Sequence, residues 1–170
     1  MKKYIEILKR TQLFSGVSDT EISAMLNCLQ AKLLTFQKGD YVFREGEHID
    51  NITVLVKGKL LVQHNDFWGN RNIINVIRVG EMFGESYAAP ESGSLLNDVI
   101  AEEVSAMIFF DVRRILTVCS TACRFHSMVI QNLFFAISEK NRKHRQKRNR
   151  ERIGFGKKAE FSPFTGYLQK

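Results

Sequence analysis

Only three cysteines occur in the chain, Cys28, Cys119 and Cys123. An odd number, with no secretory segment ahead of them, favours thiols kept reduced in a cytoplasm over a disulfide framework. Lys2 and Lys3 resemble the start of a signal peptide, but Glu6, Lys9 and Arg10 interrupt the stretch to Phe14, so no apolar core of a signal forms. Apolar runs long enough to span a bilayer are missing too. The expectation is a soluble cytoplasmic protein with no membrane partner. Histidine is scarce, and His48, His64, His126 and His144 are scattered with no His-x-His pair. Clustered metal ligands are therefore not expected, nor are catalytic residues or a cofactor. Cationic side chains are missing from one whole region: no Lys or Arg stands between Arg78 and Arg113, while Glu81, Glu85, Glu91, Asp98, Glu102, Glu103 and Asp111 do.

The 170 residues can bury one good core with an appendage. Hydrophobic content of 44%, with 13 Phe, describes an ordered protein. The formal net charge of +7 is unevenly spread. Residues 1–139 carry 14 Lys+Arg against 16 Asp+Glu, whereas residues 140–170 carry 11 against 2, so the basicity belongs to the tail.

Tyr4, Ile5, Leu8 and Leu13 suit a short helix, and Ser18 with Glu21 forms a capping box ahead of a second apolar stripe, Ile22, Met25, Leu26 and Leu29. Cys28, beside that stripe, reads as a small core hydrophobe. From Ala31 the period becomes that of strands: 33–36, 41–43, 52–56, 60–63, 73–79 and 104–110, separated by glycine turns. So many short strands at near-regular spacing imply a mainly β jelly roll. The stretch Gly80-Glu81-Met82-Phe83-Gly84-Glu85-Ser86 is the candidate ligand site, because Gly84 can bring its backbone close to a bound group and a turn at Ser86 can gather N–H donors. Helical spacing resumes over 111–117.

The succession Phe36-x-Lys38-Gly39-Asp40, Phe43-x-Glu45-Gly46-Glu47, Lys57-Gly58-Lys59 and Gly80-Glu81-x-Phe83-Gly84-Glu85 resembles the cyclic-nucleotide-binding jelly roll of the Crp/Fnr transcription regulators, from about Leu13 to Asn141. The resemblance implies a double-stranded β-helix roll with flanking helices, a long dimerisation helix, a small-molecule effector and, in complete members, a winged helix-turn-helix that binds DNA. It also implies a ligand lined by Phe83, Gly84, Glu85, Ser86, Leu95 and Leu96. In cyclic-nucleotide binders of the family, an Arg ten residues beyond the Gly-Glu pair neutralises the phosphate; here Leu95-Leu96 stand in its place. Loss of that charge-assisted pair forfeits about 1.5–3 kcal/mol, so cyclic AMP is not the expected effector.

The domains expected are a roll with N-terminal helices over 1–118, a long helix over 119–150 and a tail over 151–170, the remnant of a DNA-binding domain. Thr121 is a candidate cap for a helix from Ala122 towards Arg150. Between Met128 and Ile137 that helix is apolar nearly all round, which favours a parallel homodimer with Ile130, Leu133 and Ile137 near the seam. Cys119, Cys123 and His126 share a helical spacing that invites a metal or redox role. A bend near Ser120 and Thr121, and only three ligands, argue for structural thiols instead. Arg142, Lys143, Arg145, Lys147, Arg148 and Arg150 form a basic run suited to salt-sensitive, sequence-blind binding of nucleic acid. Gly154, Gly156, Pro163 and Gly166 are expected to break the helix beyond it. Two other classes remain: a nucleic-acid-binding scaffold acting through the tail, and a cupin-type metalloenzyme.

Overall fold

The computed structural model describes residues 1–66, 68–87, 93–117 and 124–159, the side chains of 124, 144 and 147–159 excepted. The elements among them are α1 (Ile5–Lys9), α2 (Asp19–Cys28), β1 (Lys32–Phe36), β2 (Tyr41–Phe43), β3 (Asn51–Lys57), β4 (Leu60–Asn65), β5 (Arg71–Ile77), β6 (Met82–Phe83), β7 (Asp98–Ala101), β8 (Ser105–Asp111), α3 (Val112–Leu116) and α4 (Arg124–Ala159). They divide into two compact units, Met1–Ala136 and Ile137–Lys170.

The first unit holds two four-stranded antiparallel sheets, ordered β1-β8-β3-β6 and β2-β7-β4-β5. This is the jelly roll, mainly β with flanking helices and followed by a helix. Sequence neighbours are dispersed between the sheets, so the register rests on long-range pairs such as Val54↔Ile108 and Leu61↔Ile100. Between the sheets lies a core of Phe43, Ile49, Leu55, Leu60, Val62, Ile77, Leu95, Val99, Ala101 and Met107.

The first sheet is covered on its other side as well. Phe14 meets Phe110 at 5.6 Å between ring centres, and Leu8, Leu13, Phe14, Ile52 and Phe110 are all fully buried. Burial on both faces explains why β3 and β8 read as near-continuous apolar runs. The Ser18–Glu21 capping box is present, the Ser18 N–H donating to Glu21 Oε2 at 2.7 Å, and Ile22, Met25, Leu26 and Leu29 are buried as the stripe requires. Cys28 is not: it ends α2 on the exposed side. One face of an amphipathic helix covers the body, and a residue beside the stripe turns to water.

Two strands escape the sequence pattern. β6 has two residues and β7 begins with a carboxylate, so neither shows the alternation that marks a half-buried strand. In α4, Val129, Leu133 and Ala136 are buried, and the Asn132 amide donates to the carbonyls of Leu13 and Ser15 at 3.1 and 2.8 Å. Leu133 is 4% exposed within its own unit, which removes it from the expected dimer seam. Ile130 and Ile137 are half-buried. Residues 118–123, with Cys119, Cys123 and the Thr121 cap, lie outside the described residues.

In the second unit, helix continues past Gly154 and Gly156 to Ala159. Each glycine costs only about 1 kcal/mol of helix propensity, unlike proline, and neighbouring Arg, Lys and Ala favour the helix. Among the described residues no helix is long and apolar enough to cross a membrane.

Candidate functional site

Three of the glycine turns that mark this chain share one construction. In Gly39-Asp40, Gly46-Glu47 and Gly80-Glu81 the glycine has φ of +90°, +86° and +88°, open to glycine without strain. The acid after it accepts a backbone N–H three residues earlier: Gln37 to Asp40 at 2.7 Å, Arg44 to Glu47 at 3.0 Å and Arg78 to Glu81 at 2.9 Å. These carboxylates hold corners of the roll.

The 80–87 stretch is clipped onto β3. Gly80 N–H donates to the Leu55 carbonyl at 2.8 Å, Leu55 N–H donates to the Glu81 carbonyl at 3.1 Å, and β6 then pairs with Thr53 and Val54. The buried Thr53 hydroxyl donates to the Phe83 carbonyl at 2.9 Å. Gly84 follows with φ +95°, and a Cβ there would lie 2.5 Å from the Asn51 carbonyl oxygen. Its glycine is therefore required by packing against β3, whatever ligand the roll takes. The Tyr87 N–H closes the turn on the Gly84 carbonyl at 3.0 Å. So the N–H groups of Gly80, Glu81 and Tyr87 are engaged inside the protein, leaving a smaller donor cluster than the sequence suggests.

The expected ligand residues separate. Phe83 is half-buried and stacks on Phe43 at 5.5 Å between ring centres; Phe43 in turn meets Phe109 at 5.8 Å, and Phe83 meets Tyr87 at 6.3 Å. Leu95, 2% exposed, belongs to the core these rings pack against. Its backbone is paired with the neighbouring corner, Gly46 N–H to Leu95 O at 2.8 Å and Leu95 N–H to Glu47 O at 2.9 Å. Gly84 and Glu85 are buried, Ser86 is exposed, and Leu96 is 67% exposed and outside that core. Phe83 and Leu95 thus face one apolar interior, while Ser86 and Leu96 do not reach it. Sequence reasoning missed Phe43, Phe109 and Tyr87 as its aromatic wall; the Phe43-x-Glu45-Gly46 motif carried the signal for the first of these.

Besides Glu85, a second carboxylate is buried, that of Asp98. Asp98 accepts the Glu45 N–H at 2.9 Å and the Asn65 amide at 3.0 Å, and His64 lies 3.8 Å from Glu45. Among the described residues no group of His, Cys, Asp and Glu gathers to hold a metal ion: His64 faces Glu45, whereas His126 on α4 contacts the Arg114 carbonyl. In the second unit, Glu139 receives Arg142 at 2.9 Å, and that hydrogen bond holds the Glu139 carboxyl below its ordinary pKa. Lys143 and Arg145 are exposed on the same helix; the side chains of Lys147, Arg148 and Arg150 lie outside the described residues.

The antiparallel roll, its Gly-Glu corner and the apolar wall inside it define the class of fold to which the chain belongs. The chain belongs to the cyclic nucleotide-binding domain family, whose model matches residues 33–122, more than half of the chain. Human cGMP-dependent protein kinase 2 is 29% identical over 103 residues, covering 60% of this chain and 13% of the kinase. The CRP-like cAMP-activated global transcriptional regulator of Mycobacterium tuberculosis is 34% identical over 80 residues, 47% of this chain and 35% of the regulator. This chain therefore matches about a third or less of those relatives' lengths. The sensor domain of the transcriptional regulator DNR from Pseudomonas aeruginosa shares the fold, with a TM-score of 0.63 at 19% identity, over 97% of each chain.

Proposed function

We propose that this chain is the effector-sensing and dimerisation part of a Crp/Fnr-type transcription regulator, and that its effector is an uncharged or cationic small molecule rather than cyclic AMP. The likeness to regulators of that type supports the first half. The observation that supports the second is Leu95, enclosed in an apolar core, at the place that an ungapped reading of the resemblance gives to the phosphate-binding Arg. Ligand occupancy shifts the populations of alternative α4 arrangements, and α4 relays that shift to the DNA-binding function of the full regulator. Titration calorimetry is expected to give no cyclic AMP or cyclic GMP binding in the micromolar range. Micromolar or tighter affinity for either overturns the ligand assignment and leaves the family untouched.

A second contribution comes from the basic end of α4. Arg142, Lys143 and Arg145, continued by Lys147, Arg148 and Arg150, can neutralise several phosphates without reading bases. Replacing Arg142, Lys143 and Arg145 by Ser is expected to weaken binding of DNA of any sequence. The slope of log affinity against log salt falls by about 0.9 for each phosphate no longer neutralised. An unchanged salt slope in that variant removes the tail from the interaction.

A further inference from the structure

Away from the roll interior, a groove of about 580 Å³ is lined, among the described residues, by Cys28, Asp111, Arg113, Arg114, Thr117 and His126. Its donors are the two guanidiniums. Arg113 is drawn to Asp111 and Asp50 at 3.6 and 3.7 Å, beyond hydrogen-bond reach, and the Arg114 guanidinium makes no ion pair among the described residues. Both therefore keep N–H groups for a ligand. The Thr117 hydroxyl is already spent on the Arg113 carbonyl at 2.6 Å.

Two acceptors face these donors. Asp111 takes the Arg113 N–H on Oδ1 at 2.9 Å and so caps α3, which leaves Oδ2 available. His126, 2% exposed, donates from Nε2 to the Arg114 carbonyl at 2.7 Å. A carbonyl can only accept, so Nε2 carries the hydrogen, and Nδ1 of the neutral ring presents a lone pair. That Nδ1 is buried with no hydrogen-bond partner among the described residues. A buried acceptor in that condition is costly to keep in a fold that gains nothing from it.

Two guanidiniums, one carboxylate and one imidazole acceptor have a definite complement. A plain anion such as phosphate suits the guanidiniums but is repelled by Asp111 and by the nitrogen lone pair. A plain cation meets the reverse opposition. We propose that this groove binds an amino dicarboxylic acid of about the size of glutamate. Arg113 and Arg114 each take one carboxylate, and the ammonium donates to Asp111 Oδ2 and to His126 Nδ1. The site is separate from the roll interior, so it stands whether or not the effector assignment does. Because it joins α3 to the start of α4, an occupant favours the arrangements of α4 that keep His126 against Arg114.

Titration calorimetry on the full chain compares L-glutamate with glutarate, which keeps both carboxylates and the chain length but lacks the ammonium. Saturable binding of glutamate is expected in the millimolar range or tighter, about fivefold tighter than that of glutarate, the ratio one half-exposed ion pair sustains. R114A is expected to weaken both ligands by a similar factor. D111N, whose amide oxygen still caps α3, is expected to remove the advantage of glutamate and leave glutarate no weaker. Arg114 is exposed and Asn matches Asp in size, so both variants keep the fold. No saturable binding at millimolar glutamate, equal affinity for the two acids, or an advantage that survives D111N overturns the proposal. Binding that R114A leaves unchanged overturns it too, because the amino acid then sits elsewhere, the roll interior included.

Discussion

Leu95→Arg is expected to unfold the roll rather than to restore a cyclic-nucleotide site. Leu95 is 2% exposed in a core of Phe43, Leu60, Val62 and Val99, with the rings of Phe83 and Tyr87 packed against it. A guanidinium placed there loses its hydration and meets no anion among those side chains. An uncompensated buried charge costs about 3–5 kcal/mol, against a total stability of about 5–15 kcal/mol for a domain. The observable is a large fall in melting temperature, with no recovery on adding millimolar cyclic AMP. A binder with its phosphate site open to solvent behaves in the opposite way: the Arg is tolerated, and nucleotide raises the melting temperature as occupancy rises. A stable variant that cyclic AMP stabilises further would show that the interior around residue 95 is a chamber. It would also reverse the assignment of effector class.

The glycine motifs explain why so much of the fold was legible. Lys38-Gly39-Asp40 and Glu45-Gly46-Glu47 look like binding signatures, but each glycine takes a positive φ and each acid caps a backbone N–H three residues back. Such turn chemistry is local, and local chemistry is what a sequence expresses most directly. Gly84 carries a second constraint that its neighbours in sequence do not reveal. Its sequence context suggests an approach to ligand, and only the fold brings the Asn51 carbonyl within 2.5 Å of where a Cβ would stand. That approach spans 33 positions of chain, and no pattern of neighbours can express it. β7 was hidden for a similar reason. Asp98 heads it as a buried carboxylate, tolerable only because Glu45 and Asn65 donate to it from distant segments. Cys28 and Leu133 mark the limit of helical periodicity. The period defines an apolar stripe, but which edge of the stripe meets the body depends on how the helix is rotated, and that is settled by tertiary packing.

That rotation decides how a second copy would dock. Val129, Leu133 and Ala136 face the unit's own interior, leaving Phe134 at 65% and Phe135 at 57% exposure on the outer side of α4. Phe134 and Phe135 are the large apolar side chains of α4 exposed among the described residues. If the chain pairs through α4 as proposed, Phe134 is the expected anchor of the seam and Phe135 its flank, in place of Leu133. Phe134→Asp is expected to leave the roll folded and convert the dimer to monomer, read by sedimentation velocity alongside circular dichroism. Each phenylalanine brings about 1.5–3 kcal/mol of burial, and two are removed per dimer, so the dissociation constant rises by at least about 100-fold. Leu133→Ala separates the two roles. It opens a cavity inside one unit and lowers stability by about 2–5 kcal/mol, while the partner-facing surface is unchanged. If Leu133→Ala dissociates a stably folded dimer and Phe134→Asp does not, the seam lies on the other side of the helix and the assignment reverses.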